Sequence, residues 1–415
     1  MRILIFISIF ASSIFLSLKT CAEETLNVAV LVASKGQRSA YEHLAIQFEK
    51  QHPDIHINYL SQNDKHYKHS IHQWLTQIKG LDVLYWQAGL RLNQIAAQGL
   101  LEPLDELWQA QHWQKYFPKG IQAIIRQDDH IYGLPYSYYQ WGFYYKKSLF
   151  SQLNITAPQT WAEFISVCEK LKSSGVTPIV VGGKGLWPIA SWFDYLNLRI
   201  NGLAFHQQVM KGHIPYTDVR VRNVFYKWKQ LIDLGYFIPT MNNKNWQEAL
   251  PYIYRDIAGM TLLGNFAEQH IAKKRSDDIA FFRFPQIDPN IPLHEETPIE
   301  IFVIPKNAQH KAAAKLFLTF VGRADIQESL NEELGYIAPH KQAKKNPYYD
   351  PHPNIEMKEN DSGVAQYYDR DTAELMSIEG VKIMSAFLTN ANVELTTQNL
   401  EKVRLQAFAD DRVQH

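Results

Sequence analysis

Cysteine is nearly missing from this 415-residue chain: Cys21 and Cys168 are the two it has. Cys21 lies at the end of an apolar N-terminal run, and cleavage after Ala22 would leave Cys168 alone. An intramolecular disulfide is then excluded, so an exported chain of this kind must be held by its core. Excess charge is missing as well: 42 Lys and Arg face 42 Asp and Glu. That balance argues against nucleic acid as a partner, since phosphate binding needs clustered cations, and equally against a strongly anionic membrane surface. No second long apolar run follows the first, and no tandem repeat, coiled coil or low-complexity tail is visible.

What is present begins with a targeting segment, residues 1–22. Arg2 supplies the positive start, Ile3 to Leu18 the apolar run, and Thr20 and Ala22 the small residues before a cleavage point. The expected location is the periplasm. A lipid anchor on Cys21 is disfavoured by Lys19 and Thr20 beside it. The mature length suits two packed lobes.

Apolar periodicity then alternates between strand and helix. Leu26 to Ala33 is a nearly continuous apolar run, the pattern of a buried parallel strand. Ser39 to Gln51 carries Ala40, Leu44, Ala45 and Phe48 at helical spacing, and Pro53 ends it. Ile55 to Leu60 alternates like a strand, His66 to Ile78 reads as a helix, and Leu81 to Trp86 is again a buried strand. Such an order predicts a parallel sheet covered by helices, with ligands beyond the carboxyl ends of the strands. Further on, Thr160 and Glu163 form a capping box. Helices are expected over 190–201, 219–234, 245–254 and 307–321, and strands over 178–181, 257–263, 279–284 and 300–304. The polar, proline-marked stretch 331–353 reads as a loop or crossing.

The stretch from Asp129 to Phe150 organises the rest. A turn at 127–130 leads into Ile131-Tyr132-Gly133-Leu134-Pro135 and then a dense aromatic run, Tyr136 to Tyr145. Pro135 should bend or stop a strand, and a chain turning here in extended conformation could pass from one lobe to the other. Tyr136, Tyr138, Tyr139, Gln140 and Trp141 would then sit near the gap.

Several strings, in this order and spacing, resemble the bacterial extracellular solute-binding proteins of ABC importers, the carbohydrate-binding group that includes the maltose-binding protein. They are Phe48 to Pro53; Asp82 to Trp86 with Ile95 to Leu104; Ile131 to Pro135 with Tyr144 to Lys147; Thr160 to Phe164; Ala258 to Met260 into Gly264-Asn265-Phe266; and Pro305 to Asn307 with Ala312 to Phe320. Phe266 stands where a tryptophan is frequent, Lys146 where asparagine is, and Glu300 in a stretch often rich in glycine. The resemblance implies an α/β, two-lobed type II periplasmic-binding-protein fold, each lobe a mostly parallel sheet flanked by helices, joined by a hinge. The expected N-terminal lobe is 23–134 with 295–345, and the C-terminal lobe 135–294 with 346–415. It also implies a monomer without cofactor or chemistry. Such a protein captures a small carbohydrate between the lobes and hands it to the permease subunits of an ABC importer. A sensory adaptor docking on a membrane receptor, or a binder of another polar solute, is the alternative.

A sugar offers apolar C–H faces and many hydroxyls, so its site needs aromatic platforms with polar groups at their edges. Candidates are Trp86 and Gln87 at a strand end, Tyr139 and Gln140 past the crossing, and Trp187 after a glycine-rich turn. Asn265 and Phe266 open a helix, Lys35 and Gln37 follow the first strand, and Glu300 and Asp369 complete the set. Each has a plainer reading: core packing for Trp86, strand packing for Tyr139, a helix-start charge for Asp369. Three rival signals are weak. Gly182-Gly183-Lys184-Gly185 lacks the spacing and hydroxyl of a nucleotide loop. His66, His69 and His72 drift around a helix with no carboxylate fixed beside them, which favours a solvated face over a metal site. Asp194, Glu300 and Asp369 have no spacing that suggests a glycosidase pair.

Overall fold

A computed structural model describes residues 24–77, 80–239, 241–271, 273–344 and 364–409. The targeting segment, Cys21, Ile78 and the expected lobe junction between residues 345 and 346 lie outside the described residues.

Eleven strands follow one another along the described chain: β1 (Glu24–Leu31), β2 (Ile55–Gln62), β3 (Val83–Gln87), β4 (Arg126–Gln127), β5 (His130–Ile131), β6 (Leu134–Tyr138), β7 (Trp141–Lys146), β8 (Thr177–Ile179), β9 (Ala258–Gly264), β10 (Ile279–Phe282) and β11 (Ile299–Val303). They form a five-stranded sheet, β2-β1-β3-β11-β6, a four-stranded sheet, β10-β7-β9-β8, and the small β4-β5 hairpin. Each large sheet has one strand running against the rest: β11 in the first, β7 in the second. Both reversed strands have the same cause. Each belongs to a segment that has just crossed from the other sheet, so it enters at the end where its neighbours finish. The architecture is therefore α/β with two mixed sheets and two lobes.

Two separate apolar cores match the two sheets. One contains Leu26, Phe48, Trp86, Tyr136, Phe302 and Phe317; the other contains Phe143, Trp192, Trp228, Met260, Tyr368 and Phe387. The helix Lys35–Gln51 buries Ala40, Tyr41, Leu44, Ala45 and Phe48 on the first sheet, the stripe expected from spacing. The helix expected from His66 runs Asp64–Thr76, capped by the Asn63 side chain. Thr160 and Glu163 make the expected reciprocal cap.

The aromatic stretch changes sheet at Tyr139–Gln140, not at residue 134. Pro135 does not end β6, because the β6–β11 register shifts between Glu300 and Ile301 and the missing N–H falls at that irregularity.

Two expectations fail for instructive reasons. Asn331 does not begin a loop; it lies in the helix Ala324–Leu334, 2% exposed. The β6 edge has free carbonyls. Gln327 Nε2 donates to Pro135 O at 2.9 Å and Asn331 Nδ2 donates to Tyr136 O at 2.8 Å. Polar residues are buried here because they close a sheet edge. The helix expected over 190–201 instead runs Trp187–Met210, with Gly202 in the left-handed region (φ 79°) marking a kink. It is buried nearly all round, so periodicity gave no boundary.

Gly142 is a packing requirement. A Cβ there would meet the Phe282 carbonyl oxygen at 2.5 Å and the Phe281 ring at 2.3 Å. The carbonyl is fixed by the β7–β10 ladder. Gly142→Ala should therefore destabilise the second lobe by about 1–3 kcal/mol, read as a lowered urea midpoint with an unchanged slope.

Candidate functional site

Between the two sheets lies a cleft of about 500 Å³. Its walls come from strand ends and helix starts of both lobes. Trp187 opens a helix after the turn Gly183–Leu186, where Leu186 takes a left-handed φ of 64°. That turn sets Trp187 in the cavity wall. Phe266 follows β9 and packs edge-on against Trp187 (centroids 5.8 Å) and Trp246 (5.1 Å). Tyr139, just past β6, packs edge-on to Phe266 at 5.3 Å and 5.4 Å from Tyr336. Five rings thus line one cavity, and all but Tyr139 are only half-buried.

Neutral hydrogen-bonding groups stand around the rings: Gln37, Asn63, Asn245, Gln247 and Gln269. Asn63 and Asn245 are the caps of the helices Asp64–Thr76 and Trp246–Tyr254, so two helix starts border this region. Lys65, Asp64, His270 and Arg370 complete the polar rim. Burial holds the His270 imidazole below its ordinary pKa, which favours the neutral ring. Among the described lining residues Asp64 is the lone carboxylate.

Contacts bridge the lobes around this cavity. Ser34 Oγ donates to Gln269 Oε1 at 3.0 Å and Lys68 Nζ meets Asp369 Oδ2 at 2.8 Å; within the first lobe, Gln37 Nε2 donates to Tyr336 Oη at 2.9 Å. Burial alone would raise the Asp369 carboxyl, but Lys68, Arg370 and Arg91 outweigh it and hold the pKa below the usual carboxylate value.

The structure sorts the eleven candidates. Gln37, Tyr139, Trp187 and Phe266 line the cleft together. Gln140 and Asn265 stitch the crossing instead: Asn265 Oδ1 accepts from Gln140 N at 3.1 Å, and its Nδ2 donates to Gly335 O at 3.0 Å. Glu300 sits behind the wall, where Arg370 Nη2 reaches Glu300 Oε1 at 3.0 Å and Tyr139 Oη at 2.7 Å. Gln87 faces Glu300 across the β3–β11 pair and is buried. Trp86 is also buried, stacked on Tyr67, with the Arg91 guanidinium 5.2 Å from its ring. Gln87 Oε1, Trp86 Nε1 and Glu300 Oε2 have no hydrogen-bond partner among the described residues. Asp369 serves the Lys68 bridge, and Lys35 is exposed outside the lining. Residues 66, 69 and 72 share one helix, and among the described residues no three His, Cys, Asp or Glu converge as metal ligands.

Sequence reasoning missed Trp246, Tyr336, Gln269 and Arg370. A signal existed for two of them. Asn245-Trp246 repeats the polar-then-aromatic helix start seen at Asn265-Phe266, and Arg370 neighbours the chosen Asp369. Tyr336 and Gln269 arrive through tertiary packing.

The family described as bacterial extracellular solute-binding protein matches residues 33–328. An uncharacterized ABC transporter extracellular-binding protein of Pyrococcus horikoshii is 28% identical over 383 residues, covering 90% of this chain and 83% of the relative. A probable sugar-binding periplasmic protein of Rhizobium meliloti is 24% identical over 246 residues, 58% of this chain and 55% of its own. Among solved structures, the bacterial solute receptor AcbH, described as having an exclusive preference for β-D-galactopyranose, superposes with a TM-score of 0.85 at 26% identity, covering 93% of this chain and 99% of that one. A chitin oligosaccharide binding protein superposes with a TM-score of 0.82 at 21% identity over 93% and 99%, a likeness of fold. Two sheet-and-helix lobes around a ring-lined cleft, and a family match over most of the described chain, give one conclusion: the chain belongs to the bacterial extracellular solute-binding proteins.

Proposed function

We propose that this protein captures a mono- or oligosaccharide in the interlobe cleft and delivers it to the permease subunits of an ABC importer, in the periplasm and without chemistry of its own. The observation that carries this reading is the lining: five aromatic rings interleaved with neutral amides. Pyranose rings present apolar faces to such platforms while their hydroxyls need both donors and acceptors, which amides supply. A dominant ionic ligand would call for an excess of one charge. The rim instead holds Lys65 and Arg370 with Asp64. Glycoside hydrolysis needs two carboxyls flanking one bond, and this lining offers one. The sugar-binding descriptions of the Rhizobium relative and of AcbH point the same way.

In this reading Gln37, Tyr139, Trp187 and Phe266 contact the ligand directly, with Trp246, Tyr336 and Arg370. The expected lobes close on each other by flexing at Tyr139–Gln140, because β6 stays paired with β11. The guest favours the shut form by whatever contacts it makes only there.

Trp187 and Trp246 lie at the cleft, so intrinsic fluorescence should report binding. Titration with a panel of neutral mono-, di- and trisaccharides is expected to give a saturable change with at least one. A response to amino acids, polyamines or metal ions with none to any sugar would overturn the substrate class.

A further inference from the structure

A second cluster of ionisable groups lies away from the cleft lining, inside the second lobe where the returning chain segments meet. Asp194, on the helix Trp187–Met210, and Glu296, on the crossing that leads to β11, are both fully buried. Asp194 Oδ2 accepts the Tyr368 N–H at 2.9 Å. Among the described residues no donor reaches Asp194 Oδ1 or either oxygen of Glu296. Those two carboxyls are within hydrogen-bonding reach of each other, and a bond between them requires a proton on one.

Among the described residues no cation neutralises the pair. Arg199 Nη2 and Arg283 Nη2 are engaged by Glu295 Oε1 at 2.7 and 2.9 Å. His206 Nε2 is 4.0 Å from Asp194 Oδ1, and burial drives the His206 pKa down to about 3, so that ring is neutral. The other charges felt by the pair, Glu295, Asp369 and Asp371, are acidic. The facing phenols of Tyr195, Tyr216, Tyr367 and Tyr368 are held protonated by burial.

Position makes this pair more than a buried curiosity. The Glu296 crossing zips onto the segment bearing Tyr368: Thr297 N donates to Ala365 O at 2.8 Å, and Ile299 N donates to Gln366 Oε1 at 3.0 Å. That segment continues to Arg370, which lines the cleft. We propose that Asp194 and Glu296 share one proton in the folded protein, and that this acid–carboxylate bond latches the two returning segments to the helix Trp187–Met210, making the cleft-side position of Arg370 depend on pH.

Burial first, then the neighbouring acids, push the Asp194 carboxyl up to about 8, against a partial lowering by Glu296 and the Tyr368 amide; Glu296 is likewise driven upward. A carboxyl raised in the fold holds a proton that the unfolded chain gives up near pH 4. Its stabilisation is therefore full below about pH 4 and is lost as the pH rises through about 8. Asp371, raised to about 6 chiefly by burial, contributes in the same direction at lower pH.

The test uses the full mature chain and needs no ligand, so it is independent of the sugar reading. Hydrogen exchange of the Tyr368 amide and the thermal midpoint are followed from pH 5 to pH 10 in the parent, Asp194→Asn and Glu296→Gln. In the parent, Tyr368 protection, corrected for base catalysis, should fall about tenfold per pH unit up to about pH 8, while the closed form keeps a proton that the open form has released, and level off above it, with a falling midpoint. Either amide variant replaces the proton by a fixed N–H donor, so its protection should stay level over that range. An infrared carboxylic-acid band in the parent should vanish as the pH rises through about 8, which serves if neither variant folds. Identical pH profiles in parent and a folded variant, or no acid band at pH 6, would overturn the latch.

Discussion

Arg370→Met should lower the unfolding free energy by about 3–5 kcal/mol, one of the largest losses available to a single side chain here. The guanidinium is 4% exposed and bonds both Glu300 and Tyr139. Burial by itself would lower its pKa, but Glu300, Tyr139, Tyr85 and Asp369 more than compensate and hold it above the ordinary value. Methionine fills much of the volume and removes the charge. Glu300 would then be a buried acid without its cationic partner, and its Oε2 already has no donor among the described residues. The cost comes from the abandoned partner, so the double variant Arg370→Met with Glu300→Gln should recover much of the stability. Urea denaturation of the single and double variants measures both values. A single variant within about 1 kcal/mol of the parent would show that the pair contributes little. Sugar-dependent fluorescence should fail in both, since Arg370 lines the cleft in its own right.

Legibility in the sequence followed the physics of each element. The first sheet could be read because β3 and the Val28–Val30 centre of β1 are buried on both faces and therefore run apolar there. The cap at Thr160 could be read because a helix start needs local side-chain acceptors. The crossing at Tyr139–Gln140 announced itself through Pro135 and the aromatic run, though the strand tolerated the proline at an irregular register. What could not be read depends on partners distant in sequence. Gln327 and Asn331 look like surface residues until the open edge of β6 is placed beside them. Gln37, Tyr139, Trp187 and Phe266 were recoverable as cleft residues because each sits just after a strand or at a helix start. Gln87 ends β3 and Glu300 begins β11, yet the antiparallel register pairs them with each other, and Glu300 is taken up by Arg370. Strand ends thus point to a cleft, and register decides which of them reach it.

Trp187→Ala should weaken sugar binding by about 1 kcal/mol or more, a several-fold rise in Kd. Trp187 is half-buried at the cavity wall, held edge-on by Trp141 at 5.8 Å and Phe266 at 5.8 Å, with its backbone carbonyl accepting from the Tyr367 hydroxyl. Such a ring is fixed before ligand arrives, so stacking on it costs little ordering entropy, and truncation removes the platform outright. Trp187→Phe keeps a smaller face and should lie between alanine and the parent. Trp86→Phe is the contrast: Trp86 is 2% exposed beneath Tyr67 and Arg91, outside the lining, so its replacement should lower stability while leaving affinity near the parent value. Calorimetric titration with the responding sugar, well below each variant's melting temperature, separates the two effects. Unchanged affinity in Trp187→Ala would remove that ring from the site, and a larger affinity loss in Trp86→Phe would move the sugar deeper, toward β3 and the oxygens of Gln87 and Glu300 that have no partner among the described residues.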